Sequence, residues 1–456
     1  MHTEQPAPGG GKTWTTYINC LIASEISTLT RYYDRLIQWM PRKEDNLALY
    51  QAIDVQTKQI VKENDEFPDL HAEEGRRSAI LLNGVFNHHF DIEGILTDIK
   101  PKLSRTSRLV VVLYNPYLTW LYILANWLGL RKGPQPTTFI TRTDLNNLTR
   151  LTGYNIVRTR TIAYLPFRLL GIGDLLNRIF SCIPLLKWLS FSYIVTLQPV
   201  LPHNDSHPSL SIVIPARNEK GNIENALRRL PELPCAVEVI FVEGNSTDNT
   251  WQEIQRVVSA YSDQFNLVAL QQTGKGKGDA VRLGFSKASG DLLTILDADL
   301  TMPPELLGRF YDAYCNGHAD FINGSRLVYP MEGEAMRFLN RIGNIFFART
   351  LSWILDTSIG DSLCGTKLIA RHDYERIIRW RKDFGDFDPF GDFELIFPAL
   401  VLGLGVIDIP IRYRARTYGE TNIHRFRHGL LLLKMVTIGL LRIKLGFVRN
   451  RKSGNP

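Results

Sequence analysis

The chain of 456 residues has only five cysteines, Cys20, Cys182, Cys235, Cys315 and Cys364. They are odd in number, far apart and form no CxxC pair, which excludes a disulfide framework and a zinc site built on paired cysteines. A reducing cytosol is the expected compartment. No uninterrupted apolar run reaches the roughly 18–20 residues that span a bilayer, and the first 30 residues lack a basic start followed by an apolar stretch. The chain therefore reads as neither secreted nor integral to a membrane. Acids are outnumbered, 46 against 53 basic residues, for a net charge of +7. That excess suits a phosphate-bearing partner. No aromatic-basic module of the RRM or KH kind is present, so nucleic acid is not the expected partner. With 44% hydrophobic and 22% charged residues the composition is that of a globular protein of two or three domains.

"LPHNDSHPSL" (201–210) has the composition of a linker between two patterned regions. After it, "LSIVIP", "VEVIFVE", "FNLVALQ" and "DLLTIL" read as buried strands, separated by helical patterns such as "DNTWQEIQRVVSAYS" and "GDAVRLGFSKA". Such alternation predicts βαβ units and a parallel sheet, with polar clusters collecting at the carboxyl ends of the strands. Before the linker, "SAILLNG", "RLVVVLYN", "YNIVRTRTIAY" and "FSYIVTLQP" read as strands, and "TRTDLNNLTRLTG" as a capped helix ending at Gly153. Residues 1–12 read as a tail.

Two carboxylates close the strand in "TILDADLTMPPE" (294–305). Asp297 and Asp299 are two apart, so on an extended strand they project to one side. There they suit a hard divalent ion that also takes diphosphate oxygens; the competing role is an N-cap, with Thr301, for the helix that follows at "PPELL". "TGKGKGDA" (273–280) lacks the Ser or Thr that a Walker A motif requires after its GK, which disfavours an ATPase. Its glycines and lysines at a helix start remain suited to a diphosphate.

In order and spacing, "VIPARNE" (213–219), "VEGNSTDNT" (242–250), "GKGKGDAVRLGF" (274–285), "DADLTMPPELL" (297–307), "NGSR" (323–326), "CGTK" (364–367) and "RTYGETN" (416–422) resemble glycosyltransferase family 2, especially the polyprenyl- and dolichyl-phosphate sugar transferases. The resemblance implies a GT-A α/β domain and inverting transfer from a GDP- or UDP-linked sugar to a lipid phosphate, or alternatively to a glycan or lipid hydroxyl with Asp392 as its base, with Mg²⁺ or Mn²⁺ as cofactor. Carried over by position, Pro215, Arg217, Glu219, Glu243, Lys275, Lys277, Asp279 and Asp297 would line the nucleotide sugar. Asp297 and Asp299 would hold the metal, Arg326 and Arg337 the acceptor phosphate, and Asp392, Arg326 and Arg416 would serve the chemistry. Two departures stand out: "VEGNS" replaces a VDDGS-type block, and "GETN" replaces a GESK-type ending.

Residues 76–200 resemble the second half of a class I S-adenosylmethionine-dependent methyltransferase, with a loop acid, a helix, the turn "LSRTSR", a strand and a closing hairpin. Residues 13–77 hold no Gly-rich turn after a strand, so a truncated or repurposed domain is expected, with a bifunctional methyltransferase as the alternative. The expected division is 1–75 without clear assignment, 76–200 methyltransferase-like, 201–209 linker, 210–425 GT-A, and 426–456 a basic amphipathic C-terminal helix. That last stretch and "PFRLLGIGDLLNRIFSCIPLLKWL" (166–189) are too charged to span a bilayer but suit peripheral contact with the cytoplasmic face of a membrane, their lysines and arginines facing anionic headgroups.

Overall fold

The computed structural model describes residues 14–42, 47–71, 76–129, 134–203, 207–330, 338–385, 388, 391–416, 418 and 425–446. They form two α/β units, each built on one sheet. The expected tail over residues 1–12 lies outside the described residues.

The N-terminal sheet contains β1 (Arg35–Trp39), β2 (Thr57–Val61), β3 (Ser78–Asn83), β4 (Arg108–Tyr114), β5 (Tyr154–Ile162) and β6 (Ser192–Pro199), in the order β2-β1-β3-β4-β6-β5. The first four strands in that order are parallel, and β6 runs antiparallel to both of its neighbours. Because helices cover both faces, β3, β4 and β6 are buried without alternation. Helix Trp14–Thr30 lays Ile22, Ile26 and Leu29 on the face of Ala79, Leu81 and Val110. Helix Arg142–Thr152 is set by a capping box between Thr141 and Asp144 and ends at Gly153 with φ 72°. The boundary expected at residue 75 does not separate two units, since β1 pairs with β3 across it. After β1 the chain continues Met40-Pro41-Arg42. Arg42 Nη1 lies 2.9 Å from His88 Nε2, and its guanidinium stands over Gly84. A cation thus occupies this rim of the N-terminal sheet.

The second sheet contains β7 (Leu210–Ala216), β8 (Val237–Glu243), β9 (Asn266–Gln271), β10 (Leu292–Ile295), β11 (Phe321–Ser325), β12 (Lys367–Ala370) and β13 (Val406–Pro410), in the order β13-β11-β12-β10-β7-β8-β9. The four strands β7 to β10 are parallel, as the βαβ pattern predicts. Beyond β10 the sheet becomes mixed, with β12 antiparallel to β10 and β11. The expected linker is anchored at both ends: His203 N donates to Cys315 O at 2.8 Å, and Tyr311 Oη donates to Pro208 O at 3.1 Å. Helix Arg425–Gly439 buries Leu432, Met435 and Val436 in the core of this unit. Lys444, expected to face headgroups, is instead buried and donates to Asp356 Oδ1 at 2.6 Å. Arg160 and Lys187 from the N-terminal unit share that carboxylate; burial first, and then the like charge of these two neighbours, pushes the Lys444 ammonium down to about 8 against the pull of Asp356.

Charge joins the two units. Arg77, fully buried ahead of β3, donates through Nε to Asp373 Oδ1 at 3.0 Å. Burial alone would raise the Asp373 carboxyl; Arg77 holds it well below the usual range. Arg108, at the start of β4, pairs with Asp320 and donates to Gly403 O at 2.7 Å. Asp320 also accepts from Gln198 Nε2 and the Gly405 amide. Removing one member of such a pair strands a buried charge, which costs about 3–5 kcal/mol. Asp320→Ala should therefore lower unfolding stability by about that amount in urea titration. A loss below about 1 kcal/mol, the size of an exposed pair, would show that the pair does not hold the units together.

Candidate active site

The carboxyl ends of β7, β8 and β10 meet the turn before helix Lys277–Lys287 and the segment after β13. β10 ends at Ile295, so Asp297 and Asp299 stand beyond the strand in a turn where Leu300 takes φ 54°. The expectation that both acids share one face gives way to a divided arrangement, in which each meets a different cation.

Asp297 Oδ1 pairs with Lys277 Nζ. Burial acts to raise the Asp297 carboxyl, yet the charges of Lys277, Lys367 and Arg326 bring it below its ordinary value. Gly365 lies against this pair: a Cβ there would fall 2.2 Å from Asp297 Oδ2 and 2.2 Å from Lys277 Nζ. Only glycine leaves that carboxylate oxygen uncovered.

Asp299 works in two directions. Its Oδ1 accepts from Thr301 N at 3.1 Å and from Thr301 Oγ1 at 2.7 Å, a turn closed on the residue two positions on; the helix-capping alternative fails, since the turn Pro304–Leu306 has no side-chain cap. Its Oδ2 accepts from Arg416 Nη2 at 2.7 Å, while Arg416 Nη1 donates to Glu219 Oε1 at 2.9 Å. One guanidinium fork thus joins the ends of β7 and β10. Glu219 is buried and accepts from Asn222 Nδ2 at 2.7 Å. Burial pushes its carboxyl up to about 7; Arg416 and Asn222 oppose the rise, and Asp299 and Asp248 add to it.

Asp392 reaches the same rim from the start of helix Phe393–Val401, where Lys367 Nζ donates to its Oδ1 at 2.6 Å. The neighbouring Gly391 has φ 85°, and a Cβ on it would lie 2.9 Å from Gly278 Cα. This close approach sets Asp392 beside the Lys277 turn. The helix is capped by Asp388 rather than by Asp392: Asp388 Oδ2 accepts from the Phe393 and Glu394 amides at 2.7 and 3.1 Å.

The remaining residues divide. Arg326 contributes charge, but its Nε and Nη2 grip Asp361 at 2.7 and 2.9 Å, and its guanidinium lies 5.3 Å from the Tyr413 ring. Glu243 is buried and turned inward, accepting from Ser246 N at 2.5 Å and Gln271 Nε2 at 3.3 Å. Pro215 is half-buried on β7, and Arg217 and Lys275 are exposed. Asp279 sits in the first turn of its helix, 3.5 Å from Arg282 Nη2. Arg337, and all of the "RTYGETN" block except Arg416 and Tyr418, lie outside the described residues. Lys367 and Asp361 were not singled out from the sequence, although Lys367 closes the "CGTK" block.

Residues 211–379 match the model of Glycosyl transferase family 2, a span that runs from β7 through β12. The chain is 29% identical over 222 residues to a dolichol-phosphate mannosyltransferase of Pyrococcus furiosus, covering 47% of this chain and 59% of that protein. It is 29% identical over 231 residues to a dolichyl-phosphate hexose transferase of Haloferax volcanii, covering 50% of this chain and 92% of that protein. An undecaprenyl-phosphate 4-deoxy-4-formamido-L-arabinose transferase of Klebsiella pneumoniae is 24% identical over 235 residues, covering 50% of this chain and 66% of that protein. Among solved structures, a Pyrobaculum calidifontis mannosyltransferase in complex with GDP-Man and Mn²⁺ is 19% identical with a TM-score of 0.36, covering 51% of this chain and 63% of that one.

Glu219 carries a pH signature. Below about pH 4.5 the group is protonated folded and unfolded alike; above it the unfolded state ionises first, so stability falls until the folded carboxyl ionises near 7. In EDTA without donor, the wild type should lose stability relative to Glu219→Gln across that window, on the order of 3 kcal/mol by pH 8. Parallel stability curves for the two proteins would show that the carboxyl is not shifted.

Proposed function

We propose that residues 210–425 form an inverting glycosyltransferase that moves a sugar from a nucleoside-diphosphate sugar to a polyprenyl phosphate or related lipid phosphate. The carrying observation is the rim itself: Asp297 and Asp299, in the turn after β10, draw Lys277 and Arg416 from two separate elements onto one site. The match to the family 2 model over β7 to β12 and the names of the similar lipid-phosphate sugar transferases support the same reading.

A divalent ion fits these residues. Asp297 and Asp299 offer hard carboxylate oxygens, and the bare Gly365 leaves Asp297 Oδ2 accessible. Bound there, Mg²⁺ or Mn²⁺ would offset the charge gathering on the departing nucleoside diphosphate. Lys277, Lys367 and Arg416 add fixed positive charge around the same point, where water is partly excluded and such charge counts for more. Arg416 also sets the separation of the β7 and β10 loops, because it binds a carboxylate from each.

The chemistry asked of Asp392 depends on the acceptor. A phosphate monoester is already ionised near neutrality and needs no strong base, whereas a hydroxyl needs a carboxylate free to take its proton. Asp392 is held by the buried Lys367 at 2.6 Å, and a proton placed on the carboxylate would leave that buried ammonium without its counter-charge. That pairing favours the phosphate acceptor. Arg326, gripped by Asp361, serves in this reading as a positioning residue whose charge helps keep Asp297 ionised.

Incubation with Mn²⁺, GDP-mannose or UDP-glucose and a short polyprenyl phosphate should yield a lipid-linked sugar. Asp299→Asn should reduce its formation at least about 100-fold, the scale of losing one charge-stabilising group, while Asp392→Asn should retain most of it. Loss of activity in Asp392→Asn, with transfer to a hydroxyl acceptor by the wild type, would establish the other acceptor class. Mn²⁺ titration followed by electron paramagnetic resonance should show a bound ion in the wild type and about tenfold weaker binding or worse in Asp297→Asn. Equal affinity in the two proteins would remove Asp297 from the metal site.

A further inference from the structure

The N-terminal unit carries an apolar surface that the proposed transferase chemistry does not use. Helix Thr119–Trp127 exposes Trp120 at 63% and Trp127 at 81%, and the turn Pro184–Leu189 exposes Leu185 at 77% and Trp188 at 62%. These are not scattered side chains. The Tyr117 and Trp188 rings lie 5.8 Å apart, and Asn115 Nδ2 donates to Trp188 O and Ser190 O at 3.1 and 2.7 Å, tying the two segments together. Helix Ile172–Cys182 continues the patch with exposed Ile172, Leu175 and Ile179. Helix Phe338–Leu355 adjoins it, since Trp353 Nε1 donates to Cys182 O at 3.0 Å.

Charge in these segments is almost all of one sign. Residues 116–128 contain no charged residue, and residues 166–189 and 338–355 contain five basic residues against one acid. That acid, Asp174, is already held by Arg168 at 3.1 Å and by the Tyr17 hydroxyl at 2.7 Å. Arg168, Arg178, Arg341 and Arg349 are all exposed. Tryptophan and tyrosine beside aliphatic residues, with arginines and no free carboxylate, is the chemistry of the headgroup level of a bilayer. A protein partner buried against this face would require acids opposite each arginine; an anionic lipid surface supplies them everywhere. No helix among the described residues is long and apolar enough to cross a membrane, so this face would lie on the bilayer.

The geometry points to the N-terminal unit as a membrane-seating platform: helix Thr119–Trp127 and the segment Phe167–Leu189 insert their apolar side chains at the surface of an anionic phospholipid bilayer. The buried Arg–Asp pairs between the units then hold the transferase rim at a set height and orientation over that surface. The inference deepens the proposed function by giving a lipid-borne acceptor a route to the rim, but vesicle binding itself requires neither donor nor acceptor.

The test uses the full chain and sedimentation with vesicles of phosphatidylcholine, with and without phosphatidylglycerol. The wild type should bind the anionic vesicles, less so as salt is added, and brominated lipids should quench its tryptophan fluorescence. Trp120→Glu/Trp127→Glu/Trp188→Glu should bind at least about tenfold more weakly, with unchanged circular dichroism and unchanged nucleotide-sugar binding in calorimetry. The single variant Leu185→Glu should weaken binding in the same direction and guards against a misfolded triple variant. Unchanged vesicle binding in folded variants, or none in the wild type, overturns the proposal. So does a triple variant that binds vesicles normally but converts a dimer to a monomer in sedimentation equilibrium, since the face would then join two copies of the chain. Absence of donor binding in the wild type, with vesicle binding retained, would count against the transferase reading alone.

Discussion

Two buried guanidinium–carboxylate contacts, Arg77 with Asp373 and Arg108 with Asp320, determine how the halves of this chain sit on one another. Apolar surfaces slide, because burial is indifferent to direction; a charged pair sealed from water tolerates little displacement before its desolvation outweighs the attraction. Each pair is reinforced by neighbours that only this register satisfies. Arg108 reaches the Gly403 carbonyl, Asp320 the Gly405 amide, and Tyr33 Oη donates to Leu402 O at 3.1 Å. The loop 402–405 that receives these contacts leads directly into β13. The N-terminal sheet therefore braces an edge of the sheet that bears the candidate site.

The rim itself is organised by the same economy of charge. Three acids, Asp297, Asp299 and Glu219, share two cations, Lys277 and Arg416, within one concave edge. The deficit is visible in Glu219, whose carboxyl rises to about 7 because burial and neighbouring acids outweigh the single guanidinium it shares. In the proposed function, an added divalent cation supplies what the rim lacks, and a diphosphate then returns the balance. Lys367 and Asp392 form a second couple on the far side of the same edge, which keeps that carboxylate from drifting into the acid-rich half.

Much of the architecture could be read from the chain because its periodicities are strong. β8 spans the whole of "VEVIFVE", and helix Arg142–Thr152 runs between its capping threonine and Gly153 as the sequence predicts. The strands beyond β10 were hidden for a physical reason: β11 is "FINGS", whose Asn323 and Ser325 are buried but polar, so no apolar run announces it. Asn323 can be there because Asp361 O and Asp408 Oδ1 accept both of its amide protons. The unit interface was equally invisible, since Arg77 and Arg108 flank apolar runs and look like solvated strand ends. At the site, the ordered motifs picked out Asp297, Asp299, Lys277 and Arg416, which do converge. The cluster "FGDFDPFGDFELIF" could not say which acid caps the helix, and only the folded chain separates Asp388 from Asp392.

The pairing between units also bears on how the chain is made. Asp373 follows Arg77 by 296 residues and Asp320 follows Arg108 by 212. At about 5–20 residues per second, the first sheet emerges from the ribosome roughly 10–60 s before the carboxylates that will neutralise its arginines. During that interval Arg77 and Arg108 keep the docking face hydrated and mutually repulsive between neighbouring nascent chains. The same two residues that lock the finished molecule leave the nascent N-terminal unit with a wet, cationic docking face rather than a sticky one.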